Sequence, residues 1–119
     1  MNVPPDALER IWRAVASIPP GRVESYGSVA RRAGLARRAR LVGHALRHAP
    51  DSLGLPWHRV VNAAGRISFP AGSEMHGLQR RLLEAEGVRF CGETVAREHR
   101  EPVGDLDEWL WGPPARPGR

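Results

Sequence analysis

Helix breakers partition the first half of the chain and leave room only for short helices between them. Pro19-Pro20-Gly21, Gly34 and Pro50 each stand where a helix must end or the chain must turn. Ahead of the first breaker, Leu8, Ile11, Trp12, Val15 and Ile18 recur at helical spacing, which predicts a helix over 5–17. Asp6 is placed to cap its free N–H groups, and Glu9 suits its positive end. Trp12 falls on the apolar stripe and reads as core. A second helix is expected from Ser25 through Ala33, stopped by Gly34. A third is expected over 38–49, with Leu41, Val42, Ala45 and Leu46 inward and Arg38, Arg40, Arg47 and His48 largely outward. Two short helices across a tight glycine turn form a helix-turn-helix, whose later helix is the recognition element.

The second half alternates shorter signals. Leu55 to Val61, the turn residues Asn62-Ala63-Ala64-Gly65, and Arg66 to Ser68 predict a small hairpin, or wing. A loop is expected at 69–72. Leu78, Leu82 and Leu83 place a helix over 75–86, stopped by Gly87, and 88–90 reads as extended. The expected fold is mostly α with a small β-hairpin, a winged helix-turn-helix domain over 1–101. A tail rich in Pro, Gly and acids follows over 102–119, partly docked through Trp109 and Trp111.

Composition narrows the function. Among 119 residues Cys91 is the single cysteine, which excludes an intrachain disulfide framework and a multi-cysteine zinc site. His44 and His48 have the i,i+4 spacing of a helical metal pair, but no third ligand is evident, so neither metal nor cofactor is expected. No apolar run could span a bilayer, and the N-terminal residues do not follow the secretory pattern. A soluble, cytoplasmic monomer is the expectation. The net charge is +5, carried by arginine without lysine. Eight arginines and one acid, Asp51, lie from Ser25 to Ser73, whereas six acids and two arginines lie from Glu93 to Glu108. A basic middle and an acidic end point to one face for a polyanion.

A set of motifs carries the inference further. Pro56-Trp57-His58-Arg59-Val60 resembles the Pro-Cys-His-Arg-Val active-site motif of the O6-alkylguanine-DNA alkyltransferases. Ile18-Pro19-Pro20-Gly21-Arg22-Val23, Ser25-Tyr26-Gly27, Ala39-Arg40, Val42-Gly43-x-Ala45-Leu46 and Leu82-Leu83-x-x-Glu86-Gly87 match in order and spacing. The resemblance covers about Ile11 to Phe90. It implies a winged helix-turn-helix that binds the minor groove of duplex DNA and rotates a damaged guanine into a pocket. Active members of that family transfer the alkyl group to their own cysteine, which needs a thiolate, a nearby base and an orienting carboxylate. His58 and Glu86 match the histidine and the glutamate. Trp57 occupies the cysteine position, and an indole has no thiol and no basic lone pair. Tryptophan there is the mark of the alkyltransferase-like branch, which binds the lesion without repairing it and is understood to flag it for nucleotide excision repair. The segment from Leu106 to Pro113 is similar to that branch's tail.

The resemblance also assigns roles. Tyr26 matches the tyrosine that presses on the phosphate beside the target nucleotide. Arg40 matches the arginine that fills the vacated space in the base stack. With Ser25, Gly27, Arg38, Gly43 and Arg47 they form the expected DNA-binding and base-flipping set. Tyr26, Trp57, Val60, Phe69, Pro70 and Ala71 form the expected lesion pocket. Arg31, Arg32 and Arg37 are generic phosphate-contact candidates. Ala49 replaces the family's asparagine before Pro50, and Ser68-Phe69-Pro70-Ala71-Gly72 replaces its glycine- and tyrosine-rich loop. With no nucleophile to activate, His58 and Glu86 read as a structural pair, and Cys91 as an inert small residue. Two other classes of function stand beside this one. An enzyme would transfer the alkyl group to Cys91 or another residue, and a winged-helix regulator would read undamaged sequence.

Overall fold

The computed structural model describes residues 3–100. Helix α1 (Ala7–Ala16) buries Ala7, Ile11, Ala14 and Val15, the stripe set by the apolar spacing. Asp6 precedes it without capping it through its side chain. Its carboxylate instead meets Arg10 Nε at 3.1 Å, one turn along, a pairing that competes with the backbone cap. The chain then turns at Gly21 into strand β1 (Glu24–Ser25) and helix α2 (Tyr26–Arg32). Here the cap forms: Ser25 Oγ accepts from Ser28 N at 3.1 Å.

Helix α3 (Ala39–Arg47) follows a turn with two left-handed residues, Gly34 at φ 78° and Arg37 at φ 69°. A non-glycine residue in that region is uncommon, so the turn between α2 and α3 is geometrically demanding. Val42 and Ala45 are buried, and Leu41 and Leu46 pack beside them. Trp12 Nε1 donates to Ala45 O at 2.8 Å, which pins α1 across α3. The three helices enclose the first hydrophobic cluster. All three begin and end within two residues of the bounds expected from spacing.

The hairpin lies elsewhere than the turn signals indicate. Residues 55–61 do not fold back on 66–68. Trp57–Arg59 is a single 3-10 turn, and strand β2 (Val60–Val61) pairs in parallel with β1, Glu24 opposite Val60 and Ser25 opposite Val61. Burial accounts for the choice. Val60 is 1% exposed within the first cluster and Val61 2% exposed within the second, so the two-residue period of β2 sends one side chain to each. An exposed wing would leave one of those faces wet. Asn62 still makes its turn, Oδ1 accepting from Ala64 N and Arg66 N. Gly65, at φ 81°, allows a close approach: an added Cβ would stand 2.7 Å from Arg100 Cζ.

Helix α4 (Glu74–Ala85) is capped by Ser73, whose Oγ accepts from His76 N. It buries Gln79 and Leu83. The small antiparallel hairpin is formed by β3 (Phe90–Cys91) and β4 (Thr94–Val95), and β4 bridges back to Arg66. Arg80 sits over the Phe90 ring at 4.2 Å and donates to Gly92 O, holding the hairpin on α4. The second cluster, Val23, Val61, Leu83, Val88 and Val95, lies beneath it. Val23 N donates to His99 O at 2.8 Å, so the chain is still anchored just before Arg100. The expected tail over 102–119, with Trp109 and Trp111, lies outside the described residues.

Candidate nucleic-acid interface

The turn carrying Trp57 is held from two sides. Gln79 Nε2 donates to His58 O at 2.9 Å and to Val60 O at 3.0 Å. Two carbonyls can only accept, so the amide orientation is fixed by chemistry. Gln79 is 2% exposed, a polar residue on the buried stripe of α4, and one amine group satisfies both ends of the turn. From the other side comes Glu86, the C-cap of α4. His58 Nε2 donates to its Oε2 at 2.8 Å. Arg59 donates to the same oxygen at 2.7 Å through Nη2, and its Nε lies 3.1 Å from both oxygens. Gly21 N donates to Oε1 at 3.0 Å. Arg59 also reaches Ile18 O at 2.7 Å.

Burial is the largest single influence on Glu86 and would raise its pKa. The hydrogen bonds from Arg59, His58 and Gly21 N, with attraction to His58, outweigh it and lower the carboxyl from 4.5 to about 2. The expected His58–Glu86 pair is therefore present within a larger latch. That latch joins the Trp57 turn, the end of α4 and the Pro19–Gly21 corner.

Trp57 itself is half-buried. Its ring meets His58 edge-on at 6.0 Å and 85°, and Phe69 at 6.3 Å and 88°. Such T-shaped contacts are favourable arrangements for aromatic rings. Trp57 and Phe69 of the expected pocket are thus brought together, with Pro70 and Ala71 exposed on the same loop. Val60 differs from expectation: at 1% exposed it belongs to the core and backs the turn from behind. Tyr26, the first residue of α2, packs partly buried against the first cluster.

The arginines separate into two groups. Arg32 is a structural clamp rather than a phosphate contact. Its Nε and Nη2 grip the buried Glu24 carboxylate at 2.7 and 2.6 Å, and Nη2 also donates to Ala14 O. Ser28 Oγ donates to the same glutamate at 2.6 Å. Arg38 is half-buried and carries an interaction of its own. Arg31, Arg37, Arg40 and Arg47 are exposed on α2, the turn and α3.

Gly27 and Gly43 sit inside α2 and α3. An added Cβ would meet only Arg31 Nη1 at 3.8 Å and Arg47 Nη1 at 3.6 Å, and neither glycine has a positive φ. Packing within the chain therefore demands neither glycine, although each costs helix stability. Both leave bare backbone beside an exposed guanidinium.

Sequence reasoning gave no structural role to Arg59, Gln79 or Glu24, and it read Arg32 as a phosphate contact where the structure makes it the partner of Glu24. Gln79 had a signal, a polar residue four positions before Leu83 on the apolar stripe. Among the described residues, no group of three or more His, Cys, Asp or Glu side chains could hold a metal ion. No described helix is long and apolar enough to cross a membrane.

A helix-turn-helix with exposed arginines on its second helix defines a DNA-binding class of domain. Residues 6–88 match the family described as 6-O-methylguanine DNA methyltransferase, DNA binding domain, and the chain belongs to that family. It is 49% identical over 103 residues to a DNA base-flipping protein of Escherichia coli, covering 87% of this chain and 72% of the relative. It is 38% identical to Alkyltransferase-like protein 1 of Schizosaccharomyces pombe, over 87% of this chain and 93% of the relative. The fold is similar to that of S. pombe Atl1 crystallised with damaged DNA containing O6-carboxymethylguanine. The TM-score is 0.71 at 33% identity, covering 85% of this chain and 98% of that one. It also resembles Mycobacterium tuberculosis OGT in complex with DNA, with a TM-score of 0.58 at 36% identity over 71% of this chain and 51% of that chain.

Proposed function

We propose that this protein binds O6-alkylguanine in duplex DNA and flips the damaged base without taking its alkyl group. The observation that carries the reading is Trp57. The turn around it is fully latched by Gln79, Arg59 and Glu86, yet its side chain is an indole, which cannot act as an alkyl acceptor as a thiolate does. The hydrogen bonds that hold the turn are in place, and an indole stands where the family's nucleophile would be. The relatives named for base flipping and the S. pombe complex with an alkylated guanine support the same reading.

In this mechanism α3 docks in the minor groove and Arg31, Arg37 and Arg47 hold phosphates. Gly27 and Gly43 let the DNA backbone approach the helices. Tyr26 presses on the phosphate of the target nucleotide, and Arg40 fills the gap in the stack. O6-alkylation removes the guanine N1 proton and weakens pairing with cytosine, so the lesion is cheaper to extrude. The flipped base lies against Trp57 and the Phe69–Ala71 loop. The persistent complex marks the lesion for nucleotide excision repair.

Fluorescence anisotropy on two duplexes, identical except for one O6-methylguanine, tests the binding across a salt series. Tighter binding to the lesion with similar salt slopes is expected. Equal affinity would leave only a DNA-binding domain. A labelled alkyl group tests the chemistry, and covalent label on the protein, at Cys91 or elsewhere, would overturn the non-catalytic reading.

A further inference from the structure

Helix α3 and its C-cap carry no acid, and Arg40, His44, Arg47 and His48 are all exposed. Arg40, His44 and His48 follow at four-residue intervals, which places them in one row along the helix. Arg47 stands beside that row. His48 Nδ1 lies 2.9 Å from His44 O. A carbonyl only accepts, so Nδ1 carries the proton and Nε2 is the atom that gains a second one. The two rings are 4.2 Å apart between centroids and tilted by 35°.

The other described histidines are otherwise engaged. His58 pairs with Glu86, His76 with Glu93, and His99 bonds Gly21 O and Arg89 N. No described ion pair joins His44 or His48 to an acid.

We propose that His44 and His48 extend the Arg40 row as a DNA-backbone contact that binds in its protonated form. DNA binding is then coupled to proton uptake. The inference rests on the reading that α3 docks on DNA. A phosphate beside an imidazole favours the imidazolium, and imidazole is the side chain that changes charge between pH 5 and 8.

The elements packed against α3 carry other charged or titratable groups. These are Asp6, Glu9, Arg10 and Arg13 on or before α1, Glu24, Tyr26, Arg31 and Arg32 on β1 and α2, and Asp51 just after the helix. Asp6 is paired with Arg10, and Glu24 with Arg32. Glu9 and Asp51 remain as the acids of that neighbourhood.

The test is anisotropy with the full chain and the double variant H44Q/H48Q, on the lesion and unmodified duplexes, at about pH 6 and about pH 8. Each variant-to-wild-type comparison is made on the same DNA at the same pH, which cancels titration of the bases. Wild type should bind both duplexes roughly three- to tenfold tighter at the lower pH, since one unit of pKa shift is a factor of ten. The variant should lose most of that gain and keep its circular dichroism and melting temperature, because both rings are exposed. An unchanged pH ratio in a folded variant overturns the proposal. A wild type without lesion preference, whose pH response still depends on the two histidines, overturns the lesion reading and leaves this contact standing.

Discussion

Arg59 and Glu86 face one another across the base of the Trp57 turn, Nη2 to Oε2 at 2.7 Å with Nε 3.1 Å from both oxygens. The pair links residues 27 apart in sequence. Arg59 shares the carboxylate with His58 Nε2 and Gly21 N. The hydrogen bonds from Arg59, His58 and Gly21 N together keep Glu86 charged, with its pKa lowered to about 2.

The first prediction follows from that carboxylate. Its pKa is lowered in the folded protein, so its contribution is fully present above the unfolded value and is lost as pH falls through the folded one. The window runs from 4.5 down to about 2. Glu86→Gln should lower unfolding free energy at neutral pH by about 2 kcal/mol, after discounting for solvent screening. The variant should also lose less stability than wild type between those two pH values. Urea unfolding at pH about 7, 4.5 and 2.5 measures both quantities. Parallel acid limbs for the two proteins would remove Glu86 as the linked group.

Arginines that look alike in the sequence should behave oppositely. Arg32→Ala leaves the buried Glu24 without its cation and should destabilise by about 3–5 kcal/mol. Arg47→Ala should leave thermal unfolding nearly unchanged, weaken binding to damaged and undamaged duplex alike, and reduce the salt slope by about one. Calorimetry with a salt titration separates the two. A stable, DNA-deficient Arg32→Ala protein would contradict the clamp.

Gly43→Ala separates stability from binding at a single atom group. The added Cβ has room, meeting only Arg47 Nη1 at 3.6 Å. Helix propensity favours alanine by about 1 kcal/mol, so the melting temperature should rise. DNA affinity should fall severalfold, because the methyl occupies the surface the DNA backbone approaches. Unchanged affinity would remove Gly43 from the interface.

Base extrusion is tested by comparison within the chain. Arg40→Ala and Tyr26→Ala should each weaken binding to the lesion duplex by more than Arg97→Ala does. Arg97 lies exposed in the 3-10 turn Arg97–His99, outside the helix-turn-helix. Fluorescence of 2-aminopurine at the target position should report flipping by wild type and little by either α2 or α3 variant. Equal small losses at all three positions would remove the assigned roles.

Local signals were strong where the chain solves its problems locally. Ser25 and Ser73 cap their helices, and the stripes of α1 and α3 find the core because their spacing matches a helical period. The turn at 62–65 also formed, since Asn62 closes it with its own side chain. The same turn gave a misleading partner for β2. Competition between an exposed return strand and β1 is decided by burial of Val60 and Val61 between two clusters, which no local window contains.

The amino-acid order by itself determined the short helices, the breakers between them, the basic recognition helix and the indole at position 57. Each follows from neighbouring residues or from the chemistry of one side chain. Tertiary structure alone decided which arginine clamps Glu24 and which face solvent, and that Arg59 and Gln79 hold the site. Arginines have the same charge everywhere in a sequence. Only burial beside a carboxylate 8 residues away, or exposure along α3, makes one a structural part and another a candidate hand for DNA.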